Sequence, residues 1–248
     1  MVRFVFPDAR EWSYIVESLA VLVDEASFKI SPQGLQLRAL DPSRVAMVDL
    51  SIPASAFEEF ECDKEVDVGV NFEDLNKILK RGKADEKVLV EVSEGRLKIK
   101  LLGKAERTFY LPLLDIVSQE LSSINLSFSV KAKMLSDTFR DSIKDVALVS
   151  DSVKLVAKDE SLTLRAASDR GEVEVKFTLE SGALIDCVIE EEAEATYSLS
   201  YLSDMLKKSV SLSDIVQIEF SSNRPIALMF NITSGGKLSY YLAPRVEA

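Results

Sequence analysis

Histidine is absent from the 248-residue chain, and with it the commonest general base and a standard metal ligand. Cysteine occurs only as Cys62 and Cys187, too few for a disulfide framework and in keeping with a reducing compartment. The two thiols occupy matching places in the two halves of the chain, which reads as equivalent buried strand residues rather than a bridge. No apolar run approaches the roughly 20 residues of a membrane span, and no N-terminal stretch has the build of a signal peptide. There is no Gly-rich phosphate loop: Gly235-Gly236-Lys237 lacks the upstream glycine and reads as a hairpin turn. Asn231-Ile232-Thr233 matches a glycosylation sequon by chance, having no secretory signal with it. Glu190-Glu191-Glu192 could offer oxygens to a hard cation but reads as a hydrated loop. These gaps argue against an enzyme, a metal site or a cofactor. The enzyme reading left open is a metal-dependent hydrolase built on scattered carboxylates.

What is present is repetition. Leu35-Gln36-Leu37-Arg38-Ala39 returns as Leu162-Thr163-Leu164-Arg165-Ala166, 127 residues later. The same step carries Leu75, Ile78, Leu79, Lys80 and Arg81 onto Leu202, Met205, Leu206, Lys207 and Lys208. Self-similarity at a fixed period restricts architecture before any single motif does. Apolar residues at helical spacing (Trp12, Ile15, Val16, Leu19, Leu22, Val23) predict a helix over 8–23, and Asn71 caps a second over 72–81. Further helices are predicted over 134–147 and 201–208. Strands are predicted over 28–31, 34–40, 45–52, 65–70, 87–93, 96–102 and 106–111, then within 152–179 and 214–242, with turn chemistry between them. The pattern is an α+β fold of two similar tandem domains, each a duplicated β-α-β-β-β unit. They are placed at 1–112 and 128–248, with residues 113–127 as an extended connector. With nine Asn plus Gln and 29% charged residues, the composition is of the kind found in heat-loving sources. The net charge of −11 opposes a nucleic-acid partner unless the positive charge is concentrated somewhere.

Three stretches carry a family resemblance. The run from Leu37 to Leu50 (Leu-Arg-Ala-Leu-Asp-Pro-Ser-Arg-Val-Ala-Met-Val-Asp-Leu) resembles the signature hairpin of proliferating cell nuclear antigen, the sliding DNA clamp of archaea and eukaryotes. Val68-Gly69-Val70-Asn71 with Leu75-Asn76-Lys77-Ile78-Leu79-Lys80 is similar to a second stretch of that family, and Leu238-Ser239-Tyr240-Tyr241-Leu242-Ala243-Pro244-Arg245 to its C-terminal strand and tail. The short tail and the composition favour the archaeal branch. The resemblance implies a trimeric ring with helices lining the bore and sheets outside, acting as a DNA polymerase processivity factor. It also implies a cytoplasmic, nucleoid-associated location, or a nuclear one in a eukaryote. The alternative is a checkpoint-type clamp subunit of a heterotrimer.

The implied sites follow. Lys77, Lys80 and Arg81 share one helical face, Lys133, Arg140 and Lys144 form a similar row interrupted by Asp137, and Lys207 and Lys208 repeat Lys80 and Arg81. By resemblance these contact double-stranded DNA without sequence preference. Lysines near a helix C-terminus also complement the macrodipole and need no DNA, so both readings stand. A peptide pocket for DNA polymerase, flap endonuclease and DNA ligase is implied at Leu40, Val45, Met47, Pro225 and Tyr241, with Leu121, Ile124 and Leu126 from the connector. Arg44, Ala243, Pro244 and Arg245 form its rim. These apolar residues would otherwise close the domain core. A clamp loader is a further implied partner, and no membrane contact is expected. Subunits, alike or related, would join by strand pairing of 106–111 with 172–178. Lys104, Arg107 and Phe109 on one side would meet Glu172, Glu174 and Lys176 on the other.

Overall fold

The structure is a computed structural model, and it describes residues 1–93, 95–116, 126–232 and 235–246. The central residues 117–125 of the predicted connector, including Leu121 and Ile124, lie outside the described residues. So do Glu94 of one predicted turn and Thr233 of the sequon.

The chain forms two compact units. Unit 1 begins with β1 (Val2–Phe6), α1 (Ala9–Ala20), β2 (Glu25–Ser31), β3 (Gly34–Leu40), β4 (Ala46–Pro53) and β5 (Glu59–Cys62). It continues with β6 (Val66–Asn71), α2 (Phe72–Leu79), β7 (Lys87–Ser93), β8 (Arg96–Leu102) and β9 (Arg107–Pro112). Unit 2 contains β10 (Val130–Leu135), α3 (Ser136–Ala147), β11 (Ser152–Lys158), β12 (Ser161–Ser168), β13 (Gly171–Thr178) and β14 (Leu184–Ile189). Then follow β15 (Ala193–Ser198), α4 (Leu199–Ser209), β16 (Ile215–Phe220), β17 (Ile226–Asn231) and β18 (Lys237–Leu242). Residues Ser43–Met47, at the tip of the β3–β4 hairpin, cluster with unit 2, and Ile232–Leu238 with unit 1.

The β-α-β-β-β motif thus occurs four times, as predicted. Two short strands, β5 and β14, are additions that the sequence reading did not separate. Each pairs along a terminal position of its sheet, β5 on β1 and β14 on β10. The cysteines sit on these strands, and their equivalence is real but their burial is not. Both thiols are half-buried, because an edge strand has a neighbour on one side only. Partial desolvation, with Asp186 and Glu160 nearby, holds the Cys187 thiol above its ordinary value.

In unit 1 the sheet β5-β1-β7-β8-β9 and the strands β4-β3-β2-β6 accompany α1 and α2, which pack on each other. In unit 2 the strands β14-β10-β16-β17-β18 and the sheet β13-β12-β11-β15 accompany α3 and α4, again packed together. All described pairings are antiparallel. The repeated residues form the core: Leu35, Leu37, Leu75 and Leu79 in one copy, and Leu162, Leu164, Leu202 and Leu206 in the other, are all buried. One face of each helix is apolar at 3.6-residue spacing, so each must bury that face against a sheet. Ile15, Val16 and Leu19 do so in α1, and Phe139, Ile143 and Val146 in α3.

Start signals were legible where a side chain supplies them. Asp8 caps α1 by accepting from the Arg10 and Glu11 amides, and Asn71 caps α2 by accepting from the Asp74 amide at 3.1 Å. The predicted start of α3 at 134 is corrected to Ser136. Met134 and Leu135 belong to β10, and no side chain caps the junction. Gly69 has a steric role: a Cβ there would lie 2.2 Å from the Leu114 carbonyl oxygen. The Leu114 amide donates to Gly69, so the start of the 113–127 segment is pinned where only glycine leaves room.

Candidate DNA and partner surfaces

The predicted DNA-facing cations divide into groups once the elements are fixed. Lys77 lies on α2, exposed, with ion pairs to Glu73 at 2.8 Å and Asp74 at 3.3 Å. Those carboxylates raise its pKa. Lys80 is the C-cap of α2 and reaches Glu17 at 3.9 Å. The Arg81 side chain is exposed and has no ion pair among the described residues. Lys207 and Lys208 lie within the last turn of α4, whereas Lys80 and Arg81 follow the last residue of α2, Leu79, so α4 runs further than its repeat partner and only the nearness to a helix end is shared.

The row of Lys133, Arg140 and Lys144 does not hold. Lys133 is on β10, opposite Asp186 of β14, with its amine 3.9 Å from that carboxylate. Residues on a strand and on the following helix do not share a helical face. Arg140 is ion-paired to Asp137 at 2.7 Å and Asp141 at 3.0 Å, and Lys144 to Asp141 at 3.1 Å. The Arg140 hydrogen bond, then that of Lys144, depresses the Asp141 pKa. The helix α3 carries two cations against three carboxylates. Positive charge is therefore concentrated at the C-terminal ends of α2 and α4. The first turns of α1, α2 and α3 are acidic, as the macrodipole favours.

Among the pocket candidates, Val45 and Ala243 are brought together: the Ala243 amide donates to the Val45 carbonyl at 2.8 Å. Val45 is 39% exposed at the hairpin tip, beside Arg44 in the left-handed region (φ 59). Met47, expected to line the pocket, is buried. Tyr241, Pro225, Leu40 and Leu126 are half-buried. The tail is held at Ala243 and at Arg245. The Arg245 amide donates to Thr196 at 2.7 Å, and its guanidinium forms two bonds with Asp151 at 3.0 and 3.2 Å. That pair lowers the Asp151 pKa.

The strand-pairing candidates other than Lys104, which precedes β9, lie on two sheet edges, β9 and β13. Their charges are spent differently from the prediction. Arg107 donates to both Glu86 carboxylate oxygens, at 2.6 and 2.5 Å, and to the Arg81 carbonyl at 3.1 Å. Glu86 is buried, and a buried carboxylate is tolerated only when paired, here also by the Lys83 amide at 3.1 Å. Arg107 therefore anchors the loop that carries Arg81 to β9. Glu174 likewise accepts from Arg165 at 2.7 Å within its own unit. Lys104, Glu172 and Lys176 are exposed and Phe109 is half-buried. Sequence reasoning missed Glu86 altogether, because nothing local marks a glutamate as buried.

Among the described residues, no group of three or more His, Cys, Asp or Glu is arranged to hold a metal ion, and no helix is long and apolar enough to cross a membrane.

The fold defines a class: a tandem pair of β-α-β-β-β duplications with two packed helices per unit. The chain belongs to the proliferating cell nuclear antigen family, matching its N-terminal domain over residues 1–127 and its C-terminal domain over residues 124–245. It is 55% identical over 247 residues to the DNA polymerase sliding clamp of Thermofilum pendens, covering 100% of each chain. It is 45% identical to DNA polymerase sliding clamp 1 of Pyrobaculum aerophilum, over 97% of this chain and 96% of that one. Among solved structures, it is similar to proliferating cell nuclear antigen from Thermococcus kodakaraensis (TM-score 0.94, 32% identity, 99% and 100% of the two chains). It is also similar to a chain in the PCNA2–PCNA3 complex of Sulfolobus tokodaii (TM-score 0.92, 36% identity, 99% and 100%).

Proposed function

We propose that this chain is a sliding clamp: a subunit of a ring that encircles duplex DNA and tethers polymerase and other DNA-processing enzymes. The observation that carries the reading is end-to-end similarity, at 55% identity, to a DNA polymerase sliding clamp. The clamp fold with both domains intact supports it. The reading gives the chain no catalytic step, and its place is wherever the cell keeps its DNA.

Charge placement supports a loose grip. In a chain of net charge −11, Lys80 and Arg81 in one unit and Lys207 and Lys208 in the other are the cations we assign to phosphate contact, with Lys77 beside them. Arg140, Lys144 and Lys133 are assigned a lesser part, since they lie away from the C-terminal ends of α2 and α4, and α3 sets three carboxylates against its two cations. Contacts to phosphate alone carry no sequence information, which suits movement along DNA. A closed ring then keeps its clients at high effective concentration by topology rather than contact energy. Client peptides are assigned to the surface around Leu40, Val45 and Tyr241, with the Ala243–Arg245 segment at its rim. A clamp loader is needed to open such a ring. Because one similar structure is a PCNA2–PCNA3 complex, we hold a ring shared with sister subunits as the second reading, which light scattering of the isolated chain separates from a homotrimer.

The test uses circular DNA. The loaded protein is expected to remain on nicked circles and to leave within seconds when they are linearised. Neutralising Lys80, Arg81, Lys207 and Lys208 together is expected to lower the salt sensitivity of DNA association by about one unit of slope for each phosphate interaction removed, without unfolding. Equal retention on circles and linear fragments would refute encirclement. An unchanged salt slope would refute the cation assignment alone.

A further inference from the structure

We propose that Glu86 is a positioning residue for DNA contact in unit 1: through Arg107 and the Lys83 amide, its buried carboxylate holds Lys80 and Arg81 where they meet phosphate. The inference rests on the clamp reading and names what sets the aim of two of its cations.

The two units support their cations by different means. Lys207 and Lys208 lie within α4, where the backbone hydrogen bonds of the helix fix them. The loop that follows is anchored by the buried side chains of Val210 and Leu212. Lys80 and Arg81 come after the last residue of α2, and the chain beyond them has no such anchor. Arg81, Lys83, Ala84 and Asp85 are all exposed, and Gly82 has no side chain. The one buried side chain between Leu79 and Lys87 is that of Glu86. A cation on an unanchored loop loses conformational freedom on meeting phosphate, a cost that a loop fixed beforehand avoids.

Glu86 joins three parts of the unit at once. Its carboxylate accepts from Arg107 of β9 and from the Lys83 amide. Its carbonyl accepts from the Ala9 amide at 2.8 Å, at the start of α1. Arg107 passes the tether on by donating to the Arg81 carbonyl at 3.1 Å, beside a helix end whose last carbonyls have no partner within the helix. Two glycines give the arrangement its room. A Cβ at Gly103 would lie 2.7 Å from Glu86 Cγ, and one at Gly82 would lie 2.8 Å from Ala9 Cβ. The guanidinium fork grips both carboxylate oxygens and keeps a donor for the carbonyl, a geometry that a lysine ammonium does not reproduce. A buried ion pair is seldom more stabilising than apolar side chains of the same volume. What this pair adds is its hold on the backbone at Arg81 and Lys83.

The experiment is a double-mutant cycle on DNA association of the full chain, with assembly matched by sedimentation. Glu86→Leu with Arg107→Met fills the site with apolar side chains and leaves the net charge unchanged, so general attraction to DNA stays the same. It removes the bonds to the Lys83 amide and the Arg81 carbonyl, and is expected to speed amide exchange at Lys83 at least about tenfold. Arg81→Ala is expected to weaken association about fivefold in the unaltered chain and no more than about twofold in that background. Equal losses in the two backgrounds, or no loss in the unaltered chain, would overturn the positioning role. So would undiminished protection of the Lys83 amide. Retention on circles against linear DNA reports separately on encirclement, so the clamp reading can stand while this one falls. If the paired substitution lowers the unfolding midpoint, Arg107→Lys takes its place, keeping a charge beside Glu86 without the fork, and the same comparison decides.

Discussion

The β3–β4 hairpin of unit 1 and the β12–β13 hairpin of unit 2 begin from nearly the same sequence and end differently. Each opens with Leu-x-Leu-Arg-Ala, and each carries an ion pair from the repeated arginine to the next strand: Arg38 to Asp49 at 2.6 Å, and Arg165 to Glu174 at 2.7 Å. Two residues, Asp169 and Arg170, then close the unit 2 hairpin, followed by Gly171 at φ 134, which glycine adopts without strain. Five residues close the other, among them Arg44 at φ 59, an uncommon conformation for a residue with a side chain. The longer loop reaches the C-terminal tail through Val45 and Ala243. Three extra residues thus convert a plain turn into a surface with a partner strand. Duplication supplied the scaffold, and the longer loop gave one copy of it an exposed tip at Val45.

The comparison can be broken at its core first. Leu75→Ala and Leu202→Ala remove equivalent buried side chains and are each expected to cost about 2–5 kcal/mol by chemical denaturation. A cost confined to one of them would mean that the two copies no longer share their packing. Next in size is a hairpin swap. Replacing residues 41–45 by Asp-Arg is expected to weaken binding of a client peptide about 100-fold in calorimetry, close to 3 kcal/mol, with unchanged assembly. Undiminished affinity would show that the longer loop is not what distinguishes the units.

The smallest effect concerns the tail. Asp151 has its pKa lowered by Arg245, so the latch is complete above the ordinary aspartate value of 3.8 and is lost as pH falls through the lower folded value. Asp151→Asn is expected to raise amide exchange at Arg245 at neutral pH and leave global stability alone, as an exposed pair should. Protection of that amide that did not change on substitution would assign the anchoring to the backbone bond with Thr196.

Much of the fold could be read because it is periodic. The Asn71 cap, β7 and β8 fall where alternation and turn residues put them, since burial of one face is a local property of sequence. The strands β5 and β14 escaped notice: they are short, lie at sheet edges, and have no full apolar face to announce them. The row of Lys133, Arg140 and Lys144 fails, and the start of α3 is misplaced by two residues, because the strand β10 runs straight into α3 with no capping side chain at the junction. The candidate site was legible as a set of residue types but not as a set of commitments. Arg107 and Glu86 stand 21 residues apart in sequence, and nothing in either neighbourhood announces the bond between them.

By itself, the sequence determined the duplication, the buried face of every repeated helix and strand, and the family. Each of these depends on spacing along the chain. Only the tertiary structure decided which charges remain available: Arg81 and Lys207 free of ion pairs among the described residues, and Arg140, Lys144 and Arg107 already engaged. An ion pair is a matter of distance in space and of how much water is excluded around it, and neither is written in sequence order.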